Sequence, residues 1–521
     1  MPTTPRSPVA LASLVLVLVG SMAACADVPQ TGRTKNGLVE PTAVRSDVPS
    51  PGRWQVDSTL PKVVHLWDIP GAEDQVLACA GSGLSEEWAQ QRRYQCYRYN
   101  VMTQARTLVD VPVDWFCNGA VHDMNGNIVV AGGTGTDGYP KLNNGTWAGT
   151  AATYRYQSST HEINRLGDMA TPRWYPNLLR DQAGAIYAHG GRHEGKNPPL
   201  WEVLKPGRTT WETLPWQYPT SSYSDIRLIA PDTGAYTGAT SGMSADPRPA
   251  VIVDLKTGQQ TRTPGLRQAA TRREAGSLMV YPAQRERVLI MGGGGGAGTP
   301  AVADVDQISY AGWPGTVPSF RPRAPMPVAA VHVLPVNLPN GQVFVTGGAQ
   351  SARGPSVLWA AFYDPTTNRW TRVAAPTVPR NYHSASRVNL NGTVSVFGGN
   401  RTSVSEDRVE TYEPWYTGLP RPRIASSPST ATLGRAATIS VDLPAGASVG
   451  YVTLDGAKAE THSSDPNQRM LNIPFSLIDG GLRLRIPGNA SLLPPGMYKL
   501  AVNTTASVPS TQVWIKVAPA A

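Results

Sequence analysis

Charge is scarce in this chain: 16% of its 521 residues are Asp, Glu, Lys or Arg. The formal net charge of +9 arises from dispersed arginines. No dense Lys/Arg run, basic helix or nucleic-acid motif accompanies it, so no nucleic-acid partner is expected. Cysteine is also scarce, at 4 residues, which excludes a disulfide-built miniprotein. Long apolar runs are confined to the first 25 residues, and nothing after them is long enough to span a bilayer as a helix. A hydrophobic share of 40% excludes intrinsic disorder and supplies a sizeable core.

Residues 1–25 read as an export signal, with Arg6 followed by the apolar stretch 9–18 and small residues leading into Cys25. Small residues directly before a cysteine resemble a bacterial lipobox, so Cys25 is a candidate for lipidation; ordinary cleavage at the same place is the alternative. Residues 26–52, rich in Pro, Ser, Thr and Gly without periodicity, are expected to form a flexible tether. The protein is thus expected at the cell surface as a lipoprotein, or secreted, touching membrane only through that anchor. In such an oxidising compartment Cys79 and Cys96, within one hairpin region, are expected to pair, and the closed loop contributes about 3 kcal/mol in the chain-entropy picture. Cys117 is left over, either inert or committed to other chemistry.

What the chain has in abundance is Gly (51) and Pro (47), spread along its length, a distribution that favours short strands and turns over helices. Short β-branched runs end in paired glycines at 129–133, 186–191, 288–293, 343–348 and 394–399. Between Gly132, Gly190, Gly292, Gly347 and Gly398 the steps are 58, 102, 55 and 51 residues. The double step implies a degenerate unit, which 228–242 supplies, and 77–83 is a further partial unit. Trp211 and Trp370 fall on later strands. A strand motif at this period predicts a seven-bladed kelch-type β-propeller over 53–416; a sandwich with glycine-rich hairpins does not account for the period. After a proline-rich break, residues 417–521 alternate as in an immunoglobulin-like β-sandwich. The fold class is all-β.

The repeat supplies a register. Cys117, Tyr175, His332 and His383 each lie 15 residues before the first glycine of a pair, and Tyr382 directly precedes His383. Equivalent positions of successive blades share one height on the propeller axis, so these side chains begin near one end of the channel. Phenols and imidazoles together suit copper(II), which takes N and O ligands; singly, each residue fits equally well as a strand-start filler.

The segments FCNG (116–119), RWYP (173–176), NYHS (381–384) and THSSDPNQR (461–469) resemble, in order, the four active-site motifs of the galactose oxidase and glyoxal oxidase family of copper radical oxidases. The resemblance covers about residues 60–521. It implies one copper ion held by Tyr175, Tyr382, His383 and His462, with Cys117 joined to Tyr175 by a thioether. It makes Tyr382 the base that takes the substrate proton, and brings His462 from the sandwich into the propeller channel. Phe116, Trp174 and His193 are expected as neighbours of that centre, and His332, from its place in the register, as a further neighbour or simply a rim histidine.

The reaction implied is oxidation of a small aldehyde or primary alcohol, with O2 reduced to hydrogen peroxide. One copper carries one electron and a thioether-linked tyrosyl radical carries the second. The tryptophan that shields the modified tyrosine in galactose oxidase has its counterpart position at His193, a departure that bears on shielding and substrate choice. RWYP, with Trp174, is closer to the glyoxal oxidase branch. Arg272, Arg273 and Glu274 are expected on the solvated rim, and the protein is expected to be a monomer. The competing reading is a non-catalytic kelch module that binds glycans or proteins at the cell surface. A sialidase-like propeller lacks its Asp-box motif here.

Overall fold

The computed structural model describes residues 34–35, 38–39, 42–71, 73–81, 95–135, 148–240, 249–268, 272–294, 300–401 and 404–520. The expected signal peptide and Cys25 lie outside these residues. Among them no helix is long and apolar enough to cross a membrane.

Seven antiparallel sheets succeed one another along the chain, each built on four strands. The first holds His65–Ile69, Gln75–Cys79, Gln95–Asn100 and Arg106–Asp110. Cys79 and Cys96, on its second and third strands, are disulfide-bonded. In the seventh sheet the outermost strand is Arg53–Thr59, paired antiparallel with Arg408–Glu413. The two ends of the propeller therefore share one sheet, which protects the edge an open array would leave. Burial falls from inside to outside: Gly119–His122, an innermost strand, is buried throughout, whereas Arg106–Asp110, an outermost one, is mostly exposed.

The paired glycines recur because neighbouring blades touch there. A Cβ on Gly398 would lie 2.2 Å from the carbonyl oxygen of Val63 in the adjoining blade, and one on Gly292 at 2.2 Å from that of Ala330. Buried arginines brace the same places: Arg173 donates to the Gly190 carbonyl at 2.8 Å and Arg380 to that of Gly398 at 2.6 Å. Arg173 is neutralised by Glu202 at 3.1 Å. Tryptophans on outer strands stitch blade to blade through their indole N–H: Trp211 to Thr153, Trp370 to Ala324 and Trp54 to Ala374. Apolar clusters fill the spaces between blades, as where Trp67 and Leu77 of the first meet Trp115 and Ile128 of the second.

The C-terminal sandwich packs Arg423–Ser426, Ala436–Asp442, Phe475–Ile478 and Gly481–Arg485 against a five-stranded sheet that includes Val449–Gly456 and Gly496–Thr504. Ala436–Asp442 begins with in–out alternation, but Val449–Gly456 is buried on both faces because the propeller covers its outer side. Tyr451 and Thr453 donate from that side to the carbonyls of Asn340 and Pro339. The described end of the expected tether is packed rather than free: the Thr42 amide donates to Gly450, and Arg45 stacks over Trp415 at 5.3 Å.

Candidate metal centre

Six blades present a non-glycine residue of left-handed backbone at the head of the innermost strand: Cys117, Tyr175, Tyr223, Glu274, His332 and His383, with φ from 44° to 68°. Such a conformation is costly for these residues and persists only where the surroundings impose it. Here the residue that follows enters the strand ladder opposite the first glycine of the pair, as Pro176 faces Gly190 and Ser384 faces Gly398. Backbone bonds link the ring: the Tyr175 amide donates to Cys117, Tyr223 to Tyr175 and His332 to Glu274. All six side chains are buried.

The seventh member comes from the sandwich. Ala459–Thr461 pairs antiparallel with His65–Ile69, the innermost strand of the first blade. The chain then reverses at His462 and Ser463, with φ of 51° and 62°, and Thr461 and Ser464 exchange both backbone hydrogen bonds. Two consecutive left-handed residues match the twist of a two-residue hairpin, and this turn sets His462 at the tip inside the channel. The insertion is anchored by charge. The Asp68 carboxylate accepts from the Lys458 amide at 2.9 Å and from Arg387 at 2.6 Å, and the Glu460 carboxylate accepts from the Ser386 amide at 2.8 Å. Burial alone would raise the Asp68 carboxyl, but Lys499 and Arg387 outweigh it and hold it well below the usual range.

At the centre the hydroxyls of Tyr175 and Tyr382 meet. The His462 ring lies 5.0 Å from Tyr175, 5.2 Å from Tyr382 and 4.7 Å from His383, centroid to centroid. The thiol of Cys117 and the ring nitrogens of His383 and His462 approach within 4.8 Å of one another. Both nitrogens of His383 and Nε2 of His462 are buried with no hydrogen-bond partner among the described residues. Unmade hydrogen bonds of this kind are costly, and convergent imidazoles with free lone pairs satisfy them by binding a cation.

The tautomer of His462 follows from its neighbours. The Tyr223 hydroxyl donates to the Asn118 carbonyl at 2.7 Å, so it accepts from Thr461, and Thr461 in turn accepts from Nδ1–H of His462 at 2.7 Å. A neutral imidazole carries one N–H, so Nε2 keeps its lone pair for a metal. Burial pushes His383 and His462 well below the usual histidine range, and the Tyr175 phenol and Cys117 thiol well above theirs. Without a cation the donors are therefore all neutral; a divalent ion would reverse this for the phenols. The donor set of imidazole, phenol and thiol fits copper.

Cys117, Tyr175, Tyr382, His383 and His462 thus meet at one place. Trp174 packs edge-on to Tyr175 at 4.2 Å, and Phe116 edge-on to His383 at 5.6 Å. His332 lies 5.2 Å from the Tyr382 ring. Its Nδ1 faces the Glu274 carboxylate at 3.1 Å and its Nε2 the Ala352 carbonyl at 3.2 Å. Burial depresses the His332 imidazole to about 3. His193 instead meets Gly149 and Glu194. Arg272 and Glu274 are buried rather than on a solvated rim: Arg272 is neutralised by Asp306, and Glu274 faces Nδ1 of His332.

Tyr223 and Arg353 were missed. Tyr223 lies 4.6 Å from both Tyr175 and His462, and the signal for it was present: it stands 15 residues before Gly238 in the degenerate blade. Arg353 covers the Tyr382 ring at 4.4 Å, from a loop outside the repeat register that no sequence pattern marks.

The family description "Galactose oxidase-like, Early set domain" matches residues 421–517. The chain is 26% identical over 455 residues to a galactose oxidase of Gibberella zeae, covering 79% of this chain and 62% of that protein. It is 30% identical over 225 residues to the aldehyde oxidase GLOX of Vitis pseudoreticulata, 37% of this chain and 42% of that one. Among solved structures, a fungal alcohol oxidase of the AA5 family, in complex with copper, superimposes with a TM-score of 0.75 at 22% identity, over 90% of this chain and 100% of that one. The last likeness establishes the fold. The chain spans about three-fifths of the length of the galactose oxidases it matches.

Proposed function

The chain belongs to the galactose oxidase/glyoxal oxidase family of copper radical oxidases, and on that premise we propose that it oxidises a small primary alcohol or hydrated aldehyde and releases hydrogen peroxide. The balance is RCH2OH + O2 → RCHO + H2O2, or RCH(OH)2 + O2 → RCOOH + H2O2. The observation that carries the reading is the meeting of two phenols and two imidazoles with unmade hydrogen bonds beside an otherwise unbonded buried cysteine.

Tyr175, Tyr382, His383 and His462 are the proposed ligands. Bound there, copper would supply one of the two oxidising equivalents and favour the phenolate over the phenol. Tyr382 takes the substrate hydroxyl proton. Cys117, linked to Tyr175, spreads the unpaired electron over sulfur and ring and so eases its formation. Trp174 and Tyr223 pack against Tyr175 and keep water from it. The Tyr223–Thr461 chain holds His462 in its metal-binding tautomer. The disulfide and the resemblance to galactose oxidases support an exported protein.

Copper-loaded full-length protein is expected to release peroxide with at least one of glycolaldehyde, glyoxal, methylglyoxal, galactose or a simple alcohol. Its intact mass should be lighter by the pair of hydrogens the thioether expels, beyond the disulfide. Full oxidase activity in Cys117→Ala would refute the role given to the cysteine.

A further inference from the structure

A cleft of about 490 Å3 opens at the other end of the propeller from the metal centre. In the fifth blade the centre's Glu274 precedes the inner strand Gly276–Met279, whereas the cleft begins at Tyr281, beyond its far end. Its walls come from the turn after that strand, from the sixth blade, from Asn472 of the sandwich and from residues 42–46. The walls are fixed: Tyr281 donates to Asn472 at 3.2 Å, and Gln342 donates to the Arg45 carbonyl at 3.0 Å.

Three guanidinium groups line the cleft. Arg45 is neutralised by Asp47 at 2.5 Å. Arg285 and Arg287 have no carboxylate within ion-pair distance among the described residues, and a fourth arginine, Arg323, stands beside Arg287. Arg323 is spent on neutral acceptors, the Tyr363 hydroxyl at 3.0 Å and the Pro365 carbonyl at 2.7 Å. The carboxylate in the lining, Asp364, is engaged with the Thr366 amide at 2.8 Å and the Thr367 hydroxyl at 2.5 Å. Among the described residues Arg287 makes one long hydrogen bond, 3.4 Å to the Tyr281 carbonyl, and its buried Nε has no partner. Burial, Arg285 and Arg323 all push its guanidinium pKa down. A half-buried guanidinium beside like charges and without a counter-charge is unfavourable, and an anion in the cleft relieves that repulsion.

We infer that this cleft binds a small organic anion whose phosphate, sulfate or carboxylate group is gripped by Arg285 and Arg287. The volume falls within the range of small-molecule sites and exceeds what a bare oxyanion needs. Asn472 and Thr371 line the same space and suit a hydroxylated body such as a sugar ester. The inference is independent of the oxidase reading.

The test is calorimetric titration of the full chain with inorganic phosphate, glucose 6-phosphate, glucuronate and uncharged glucose at matched ionic strength, with sedimentation on phosphatidylglycerol vesicles alongside. At least one of the three anions is expected to bind, and glucose is not. Arg287→Gln and Arg285→Gln should each weaken binding roughly tenfold or more, the value of one charge-assisted contact, while peroxide release is unchanged. Arg285 is exposed, so its variant separates lost binding from misfolding. Binding to vesicles but to none of the soluble anions overturns the inference, as does anion binding undiminished in both variants, or no binding at all.

Discussion

Thr461 has a role out of proportion to its size. Its hydroxyl is the middle link between Tyr223 and Nδ1 of His462, and removing it frees the imidazole to take the other tautomer. Thr461→Val is therefore expected to weaken copper binding by roughly 10–100-fold, the usual cost of losing an outer partner of a metal-bound histidine. A copper titration of the purified protein checks this; affinity unchanged from wild type would remove the relay from the argument. Residues of this kind are hard to find by sequence. Cys117, Tyr175, His332 and His383 were legible because a repeat put them in one register, and Tyr223 was legible in principle. Thr461, His65 and Arg353 act through contacts between distant segments, as when the Cys117 amide donates to His65 Nε2 at 3.1 Å. No local spacing encodes such a contact.

At the level of elements, the metal centre depends on docking one hairpin. Asp68 faces Arg387, Lys499 and the Lys458 amide, so a single carboxylate holds the insertion strand and two buried cations. Asp68→Asn leaves Arg387 with Asp74 alone and Lys499 with Asp455 alone, and is expected to cost about 1–3 kcal/mol. Because the same carboxylate positions the strand leading to His462, copper affinity should fall with stability. Denaturant unfolding and copper titration of one preparation measure both, and a destabilised variant with wild-type copper affinity would show that the hairpin docks without it. The blades themselves were readable, since a glycine pair is forced wherever a Cβ would strike the next blade. The closing strand Arg53–Thr59 was not, because it carries no glycine pair and its partner, Arg408–Glu413, lies at the other end of the propeller. The depth of the His462 insertion was equally hidden, being set by pairing between Ala459–Thr461 and the first blade.

For the molecule as a whole, burial of histidine governs the response to acid. The sequence holds eight histidines, and His65, His122, His189, His332, His383 and His462 are all buried with depressed basicity, His65, His189 and His332 to about 3. In the unfolded chain each titrates near about 6.5. As pH falls below that value the unfolded chain takes up protons that the folded one refuses. The stability they confer is therefore complete above about pH 6.5 and drains away toward pH 3, at about 1.4 kcal/mol per pH unit for each group within its window. Asp455 works in the opposite sense. Burial raises it to about 7, so its contribution is present below its unfolded value of 3.8 and is lost as pH rises through 7. Copper-free protein should accordingly be most stable near neutrality, with a steep acid limb that Asp455 partly offsets between about pH 4 and 7. Asp455→Asn should steepen the limb between about pH 4 and 7 and leave the rest of the profile unchanged. Copper should raise Tm by holding His383 and His462 unprotonated, and that gain should shrink on acidification as protons compete for the same nitrogens. Thermal unfolding of apo, copper-loaded and Asp455→Asn protein across this range tests the scheme. A Tm for the apo protein that stays level from pH 6.5 down to 4 would mean that the six imidazoles are not held neutral by burial, and the free lone pairs on which the metal centre rests would go with them.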